Sequence, residues 1–417
     1  MPTAPENTDV PLVDSDVVGE ILAVLTTPAG QADPYPHYAR LHALGAAGVA
    51  PDGTMVVAGY RACSAVLRHH GLVKTPERAL TAAGHPDWRN RPALRLLYGS
   101  LLMLNPPVHT RLRRLVSGAF TPRRVSALRP AVARITADLI DRIDGDFDAV
   151  AAFAFPLPVT VIGELLGIPT GDRPMFQALV RDWTMVLEFL SPLAVDTADA
   201  AAVRIRDYLG DLAAERRAHP TDDLISAFAA ARDDTAPTGF DGDELVTMAA
   251  LLLAAGFETT TGLLSNGLLA LLDHPAEAER LRATDELAAP AAQELLRFDS
   301  PVQMLFGRSS PTADRIEGLP VAAGQRLITL LGAANRDPGV FADADQLRLD
   351  RGGESALSFG GGIHYCLGAP LARLEAEIAF PALLRRFPHL ALAGAPVRRT
   401  GLALHGHVEL PLTAGPR

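Results

Sequence analysis

FGGGIHYCLG, residues 359–368, is the most informative stretch of the chain. Three consecutive glycines precede Cys366, and the next residues, Ala369–Ala379, have the composition of a helix with Pro370 in its first turn. The cysteine therefore lies where a glycine-rich loop runs into a helix N-terminus. Backbone N–H groups and the positive end of the helix dipole at such a place favour a thiolate over a thiol.

A thiolate in this setting is suited to metal chemistry. It is a strong axial ligand for haem iron, and three glycines let the backbone lie flat against a bulky planar group. Zinc would need a second ligand pair beside His364 and Cys366, a phosphate-binding loop would need Lys followed by Ser or Thr, and covalent haem would need C-x-x-C-H. The sequence has none of these features. Cys63, the other cysteine, is interpreted as a small core residue.

The ten residues resemble the haem-binding loop of the cytochrome P450 family, F-G-x-G-x-H-x-C-x-G, at every specified position. The resemblance implies a non-covalent haem b whose proximal iron ligand is Cys366. It further implies that His364 contacts a haem propionate, that Phe359 shields the sulfur, and that Gly360 and Gly368 belong to the cofactor-binding loop. The implied fold is mainly α with a small β portion, triangular and helix-rich, with the haem buried between distal and proximal helices.

Upstream, AGFETT (residues 255–260) resembles the family's distal-helix motif, small-Gly-x-acid-Thr-Thr/Ser. Gly256 removes bulk where a helix approaches a ligand, and Thr259 can bond back to the carbonyl of Ala255, which loosens the helix. The resemblance implies that Ala255 and Gly256 border the haem and that Glu258 and Thr259 are catalytic residues that relay protons. The alternative is that Glu258 marks the point where a buried helix emerges and that the threonines are weak helix formers.

Glu294 and Arg297 form an E-x-x-R pair whose charges fall on one helix face. Such ion pairs are common on protein surfaces and contribute little to stability there. This pair is informative because of its position before the cysteine loop. We interpret both residues as structural. The family completes the pair with a later basic residue. The best-aligned position holds Gln346, so either the third member is missing or Arg348 or Arg351 supplies it.

NPPVHTRLR, residues 105–113, resembles the family's D-P-P-x-H-x-x-x-R, with Asn105 in place of Asp. His109 and Arg113 lie four residues apart on one helix face, and Arg can bind a carboxylate through two hydrogen bonds. The resemblance implies that both residues, together with Arg308, bind the haem propionates. Taken singly, each of these basic residues would be an ordinary surface charge.

Composition restricts the class of protein. The 417 residues carry a formal charge of −10, which argues against a general nucleic-acid binder because such a protein needs a basic face. Two cysteines fit a reducing cytosol, and the N-terminus lacks the pattern of a secretory signal. The charge-free apolar runs Ala149–Gly163 and Leu245–Phe257 are shorter than the roughly 20 residues that span a bilayer. We expect a cytoplasmic monomer without membrane or nucleic-acid partners.

The periodicity of apolar residues indicates a mainly helical chain. Helical spacing extends over Val125–Ile143, Asp172–Leu190, Asp199–Ala218 and Asp243–Leu272. Strand-like sequence is confined to Thr54–Val57, Arg326–Thr329 and Leu402–Leu412. Since no repeat or low-complexity linker divides the sequence, a single domain is predicted over residues 1–417, with residues 1–12 as a mobile tail.

The resemblance implies a monooxygenase that hydroxylates or epoxidises an organic substrate with dioxygen. Ferredoxin and ferredoxin reductase are the implied electron donors, and the outward arginines of the Arg111–Arg124 region are predicted to dock an acidic ferredoxin. The implied pocket residues are Trp183, Leu252, Val302, Met304 and Phe306. Such an apolar lining suits a sizeable apolar molecule, for example a polyketide or another secondary metabolite.

Two other functions are consistent with the same sequence. One is oxidative coupling, ring closure or peroxide-driven chemistry on the same haem-thiolate fold, which would use the same residues. The other is a haemless recruitment module without catalytic activity. The intact Cys366, Glu258 and Thr259 argue against the second function.

Overall fold

The computed structural model describes residues 11–75, 77, 80–81, 84–188, 192–231 and 239–415. Helices dominate this part of the chain. The α-helices are Ser15–Leu25, Pro28–Ala32, Tyr35–Leu44, Tyr60–Arg68, Pro92–Tyr98, Val108–Ala119, Pro122–Ala127, Arg129–Ile140, Pro156–Leu166, Met175–Thr184, Pro192–Ala218, Leu224–Ala230, Gly242–Asp273, Pro275–Ala283, Ala288–Phe298, Leu331–Ala334 and Ala369–Arg386. The expected mainly α architecture is therefore confirmed.

Short strands form a small β portion. A mixed six-stranded sheet has the order Leu12–Val13, Ala47–Val49, Met55–Val57, Arg326–Leu330, Met304–Ser309, Val73–Lys74. Asp146–Asp148, Pro411–Thr413 and Ala391–Leu392 form a second sheet, and two hairpins pair Val397–Arg398 with His407–Glu409 and Asp314–Ile316 with Leu319–Val321. In the six-stranded sheet the strand register places Lys74 directly opposite Arg308.

The longest helix, Gly242–Asp273, is here called the distal helix. It begins with a capping box, in which the Asp241 carboxylate accepts from the Glu244 N–H at 2.7 Å and the Glu244 carboxylate accepts from the Asp241 N–H at 3.1 Å. Its length and apolar composition would let it cross a membrane, but most of its apolar stretch is buried inside the protein, as in a core helix.

The helix Ala369–Arg386, here called the proximal helix, packs against the distal helix and follows the cysteine loop directly. At their contact a side chain on Gly267 would overlap the ring of Phe380, so only glycine allows the observed approach. Both helices contribute to the same hydrophobic core, in which Leu264 and Leu383 are fully buried. The approach of the two helices is therefore fixed by their packing.

Several predicted boundaries differ from the structure. The helix predicted over Val125–Ile143 is divided at Leu128, and the one predicted from Asp172 begins at Met175 and ends at Thr184, followed by the 3₁₀ turn Met185–Leu187. The helix predicted from Asp199 begins at Pro192.

Two further predictions concern the ends of the chain. The strand predicted over Leu402–Leu412 is confined to His407–Glu409 and Pro411–Thr413. Leu12 belongs to a strand, while the first ten residues of the predicted tail lie outside the described residues.

Candidate functional site

The cysteine loop is a pair of tight turns, Leu357–Phe359 and Gly362–His364, that delivers Cys366 to the start of the proximal helix. Gly360 and Gly362 have φ of 70° and 64°, in the left-handed region that favours glycine. A Cβ on Gly362 would also lie 2.6 Å from the Leu67 carbonyl oxygen. The loop closes through the Cys366 N–H, which donates to the Phe359 carbonyl at 3.0 Å.

Two opposing effects act on the Cys366 sulfur. Burial raises the pKa of the thiol, whereas the N–H groups of Gly368 and Ala369 and the guanidinium of Arg113 lower it, and burial prevails. The helix N-terminus therefore acts in the predicted direction but does not by itself produce a thiolate. A cation at the sulfur would supply the missing stabilisation, because metal coordination deprotonates a thiol.

Aromatic and cationic side chains flank the same loop. The Phe359 ring lies 4.7 Å from the Arg373 guanidinium carbon and 6.4 Å from the Tyr365 ring centroid. The Arg113 guanidinium donates to the Tyr365 carbonyl at 2.8 Å, which ties the helix Val108–Ala119 to the loop.

Cys63, in contrast, is fully buried among apolar residues, where its Sγ lies 3.2 Å from the Val57 carbonyl. It is a core residue, as predicted.

Four of the predicted basic residues converge beside the loop. The His109 and His364 ring centroids are 4.5 Å apart, and neither ring nitrogen of His109 has a hydrogen-bond partner among the described residues. The pKa of His364 is lowered to about 3, first by burial and then by the positive charges around it, including Arg308 and Arg113.

Lys74 is a fifth member of this cluster, and the sequence analysis missed it. It is the only lysine in the chain, and its pKa is lowered to about 7 by burial and by the charge of Arg308. Its ammonium donates to the Phe306 carbonyl at 3.0 Å, while Arg308 donates to the Val66 carbonyl at 3.2 Å. No acidic side chain in the described chain is seen to pair with either of the two cations.

This basic cluster (Lys74, His109, Arg113, Arg308 and His364) fits the carboxylates of a haem. Two like charges directly opposite each other in a sheet repel, and a buried cation without a counterion is costly. An anionic group would relieve both penalties and would give His109 a partner. Haem offers two propionates beside an iron that Cys366 could ligate. The residues present therefore suit the predicted cofactor on two independent counts, the sulfur and the charge.

The middle of the distal helix is not uniformly buried. Leu252, Ala255 and Thr259, which are separated by one helical turn each, are exposed or half-buried. The Thr259 hydroxyl donates to the Ala255 carbonyl at 2.8 Å, as predicted. The next threonine does the same, with Thr260 donating to the Gly256 carbonyl at 3.1 Å.

The neighbours of Gly256 and Glu258 were not foreseen. A Cβ on Gly256 would lie 2.9 Å from Ile162 of the helix Pro156–Leu166. The absence of a side chain at Gly256 therefore allows a neighbouring helix to approach, whereas the sequence predicted that it makes room for a ligand. The Glu258 carboxylate accepts from the Arg399 guanidinium at 3.1 Å, and Arg399 also donates to the Thr184 hydroxyl at 3.3 Å. The acid of the predicted relay is thus ion-paired.

Glu294 and Arg297 are buried and joined by two hydrogen bonds of 2.7 and 2.9 Å. Arg351 completes the pair, since its Nε donates to the Glu294 carboxylate at 3.0 Å. Arg348 contributes its backbone N–H at 3.0 Å, and Gln346 contributes its carbonyl oxygen to both arginines. The structural interpretation is supported by these contacts, and the basic residue sought at Gln346 is Arg351.

The predicted pocket residues lie in different environments. Trp183 and Met304 are buried in the core, and the Trp183 indole donates to the Ala93 carbonyl at 3.1 Å. Leu252, Val302 and Phe306 are half-buried.

Not all of the arginines predicted to face an electron donor are exposed to solvent. Arg111 is half-buried, forms an ion pair with Glu244 and donates to the Gly239 carbonyl. Its assignment to a docking face is therefore wrong. Arg114, Arg123 and Arg124 are exposed.

Comparison with known proteins supports the same assignment. The family model for Cytochrome P450 matches residues 48–400. The chain is 41% identical over 318 residues to the polyketide biosynthesis cytochrome P450 PksS of Bacillus subtilis (75% of this chain and 77% of that protein). It is 37% identical over 365 residues to the mycinamicin IV hydroxylase/epoxidase of Micromonospora griseorubida (86% and 88%). The crystal structure of P450BioI with an acyl carrier protein that bears hexadec-9Z-enoic acid superposes with a TM-score of 0.85 (33% identity; 92% and 98%).

Proposed function

This chain belongs to the cytochrome P450 family of monooxygenases, and from that premise we propose that it hydroxylates or epoxidises a largely apolar organic molecule at a haem held by Cys366. The observation that carries the proposal is the coincidence of a cysteine at a helix N-terminus with five basic groups that have no acidic partner in the part of the chain that the structure describes. Lys74, Arg113 and Arg308 each donate to a backbone carbonyl, but these contacts leave their positive charges without a counterion among the described residues.

The proposed cofactor is haem b with the Cys366 thiolate as axial ligand. Lys74, His109, Arg113, Arg308 and His364 would bind its propionates, and Phe359 and Arg373 would cover the sulfur side. When bound, the haem activates dioxygen with two electrons and two protons, so that one oxygen atom enters the substrate and the other leaves as water. The protein must then orient the substrate, exclude water and deliver protons.

Proton delivery is assigned to Glu258 and Thr259 of the distal helix. Because the Thr259 hydroxyl donates to Ala255, its oxygen lone pairs are directed elsewhere and can accept from water or from an acid. Glu258, the residue before Thr259, supplies a carboxyl group that the Arg399 ion pair holds in place. This pair would move protons without any other titratable residue on the same turn of the helix.

The proposed substrate is a secondary metabolite of polyketide type. Leu252, Val302 and Phe306 would provide the apolar contacts, since these three predicted pocket residues are half-buried rather than fully packed. The names of the two relatives, one in polyketide biosynthesis and one a hydroxylase/epoxidase, support the class of substrate and reaction.

The proposed electron donor is a separate ferredoxin with its reductase. The exposed Arg114 lies on the helix Val108–Ala119, beside Arg113, which reaches the cysteine loop, and the exposed Arg123 and Arg124 lie on the next helix, Pro122–Ala127. An acidic ferredoxin bound there would approach the sulfur side of the haem.

Cys366→His tests the axial ligand, with Cys63→Ser as the matched control. The reduced, CO-bound wild type should absorb well to the red of a His-ligated haem protein, and Cys366→His should move that band and abolish oxygenation. Cys63→Ser should change neither, because a serine hydroxyl can keep the hydrogen bond to the Val57 carbonyl. An unchanged band in Cys366→His would exclude this cysteine as the ligand. Product analysis by mass spectrometry with ¹⁸O₂ then establishes whether one oxygen atom is inserted.

A further inference from the structure

Four consecutive backbone N–H groups, those of residues 401–404, each donate to a side chain from a distant part of the chain. These residues, here called the 401–404 segment, lie in the loop of the hairpin Val397–Arg398/His407–Glu409. The Gly401 N–H donates to the side-chain carbonyl of Gln31 at 3.0 Å, and the other three donate to the carboxylate of Glu188. Side chains that are more than 200 residues away therefore fix this backbone.

The two oxygens of the Glu188 carboxylate have different numbers of contacts. Oε2 accepts from the N–H groups of Leu402 at 2.7 Å and Ala403 at 3.0 Å, whereas Oε1 accepts from that of Leu404 at 3.2 Å. Successive N–H groups that point at one anion form an anion-binding concavity, and here the anion belongs to the protein itself. Because hydrogen bonds to an ionised group are roughly twice as strong as neutral ones, three of them bind the segment firmly to Glu188.

The conformation of Gly401 is required for this contact. Gly401 has a φ of 144°, which L side chains rarely adopt, and a Cβ there would lie 2.4 Å from the carboxyl carbon of Glu188. A side chain at residue 401 would therefore displace the carboxylate. Residues 402–404 are 9% exposed or less, and buried N–H groups need partners. Loss of the carboxylate must consequently move the segment or admit water to it.

The opposite side of the 401–404 segment pairs with residues 301–303. The Gln303 N–H donates to the Ala403 carbonyl at 2.9 Å, and between the two backbones Val302 lies opposite Leu404 in an antiparallel bridge. Val302 is one of the half-buried residues that we propose to contact the substrate. A shift of the segment would therefore be transmitted to Val302.

We propose that Glu188 is a positioning residue that decides which bulky molecules the substrate pocket accepts. It fixes the 401–404 segment and, through that segment, the wall of the pocket at Val302. This proposal rests on the proposed monooxygenase function. If a wall has its binding-competent arrangement in only a fraction of the molecules, the affinity for a ligand that touches the wall falls in proportion to that fraction. A small ligand that does not reach the wall should bind equally well with or without Glu188.

Two substitutions at Glu188 remove different numbers of hydrogen bonds. Glu188→Ala removes all three. In Glu188→Gln the side-chain oxygen can replace Oε2 and keep the bonds from Leu402 and Ala403, while the NH₂ group faces the N–H of Leu404, so that two donors meet. The contact geometry therefore predicts a graded series, with the defect of Glu188→Gln confined to one amide.

Two further variants separate the contact from the residue. Gly401→Ala displaces the carboxylate of Glu188 without removing it and should reproduce the effects of Glu188→Ala. The double variant should be no worse than either single variant, because both changes remove the same contact. Glu20→Gln is the matched control, since Glu20 forms an exposed ion pair with Arg40 on other elements of the chain.

Hydrogen exchange of the haem-loaded protein, resolved to single amides by electron-transfer fragmentation, tests the contact directly. In Glu188→Ala the N–H groups of residues 402–404 should exchange at least about tenfold faster than in the wild type, and in Glu188→Gln only that of Leu404 should do so. The Gln303 N–H should also exchange faster in Glu188→Ala, because its acceptor is the Ala403 carbonyl. Faster exchange at Gln303 shows that the disturbance reaches the pocket side of the segment.

Two azole ligands of different size test the effect on the pocket. Imidazole and clotrimazole both bind haem iron through an imidazole nitrogen, seen as a shift of the haem absorption band, but only clotrimazole carries three bulky aromatic rings. We expect Glu188→Ala and Gly401→Ala to raise the dissociation constant of clotrimazole about three- to tenfold, as for a wall held correctly in about a third to a tenth of the molecules. The dissociation constant of imidazole should stay within about twofold of the wild-type value, and Glu20→Gln should change neither constant.

Three results would overturn the proposal. Wild-type exchange at residues 402–404 in Glu188→Ala would mean that Glu188 does not hold the segment. Faster exchange there, with Gln303 and clotrimazole binding unchanged, would mean that Glu188 satisfies the segment without positioning the pocket wall. An equal loss of affinity for both azoles would place the damage at the haem. Failure of the proposed function would look different, since the wild type would then form no oxygenated product while the exchange and binding results kept their meaning.

Discussion

Replacing Lys74 with Met should have opposite effects on the haem-free and the haem-loaded protein. In the haem-free protein the ammonium is buried opposite Arg308, has no acidic partner among the residues that the structure describes, and has a pKa that falls from an ordinary value near 10.5 to about 7. A fall of that size corresponds to about 5 kcal/mol of destabilisation by the charged form. Because Met fills a similar volume without charge, Lys74→Met should stabilise the haem-free protein by an amount of that order.

The pH dependence follows from which state binds the proton. Between about pH 7 and pH 10.5 the unfolded chain keeps the Lys74 proton and the folded haem-free chain does not, so the stability of the wild type rises with pH in this window. The advantage of Lys74→Met should therefore be largest at pH 7 and below and should vanish above about pH 10.5. Urea unfolding of haem-free protein at several pH values measures this difference.

In the haem-loaded protein the same substitution removes a charge-assisted hydrogen bond to a propionate. Such a bond contributes about 1.5–3 kcal/mol, so haem should be lost roughly ten- to a hundredfold faster to a haem-scavenging apoglobin. Lys74→Arg should keep most of the affinity, and the exposed Arg40→Met should change neither quantity by more than about 1 kcal/mol. If Lys74→Met destabilised the haem-free protein and left the rate of haem loss unchanged, Lys74 would be a packing residue and would not belong to the propionate-binding cluster.

Four other changes have defined outcomes. Thr259→Ala should leave haem content and substrate binding near normal but divert electrons to peroxide or water, seen as less product per NAD(P)H. Glu294→Gln should lower the free energy of unfolding by about 3–5 kcal/mol in chemical denaturation, because it leaves buried arginines without their counterion. Gly267→Val should lower the melting temperature and haem content, since the new side chain overlaps Phe380. Arg123→Glu should slow ferredoxin-supported turnover severalfold at low salt, less so above about 0.1 M, and should spare peroxide-supported turnover.

The motif residues were predictable because each motif is short and its chemistry is local. The cysteine loop and the back-bonded Thr259 follow from patterns within a dozen residues, whereas the meeting of His109 with His364 was implied only by the family resemblance of their two motifs. Lys74 was missed for the opposite reason. Its place beside Arg308 depends on the pairing of two strands more than 230 residues apart, and a single lysine before a turn carries no signal of that register.

The errors at Leu402–Leu412 and Asp172–Leu190 have a common cause. The Glu188 carboxylate accepts hydrogen bonds from the backbone N–H groups of Leu402, Ala403 and Leu404 at 2.7, 3.0 and 3.2 Å. Because Glu188 accepts from these N–H groups, the loop needs no strand partner at residues 402–404. Glu188 itself has an extended backbone and so does not continue the predicted helix. Apolar periodicity reports which face is buried but not which distant carboxylate will satisfy a backbone, so a tertiary contact overrode the local pattern at both places.

Three glycines fix the distal helix at successive points along its length. A side chain on Gly256 would meet Ile162, one on Gly262 would meet the His405 carbonyl, and one on Gly267 would meet Phe380. Thr259 lies midway between the first two contacts. A catalytic group must be held to within about half an ångström, which packed helices achieve better than loops. The glycines therefore do more than leave space, because the contacts they permit set where the hydroxyl of Thr259 and the carboxylate beside it can lie.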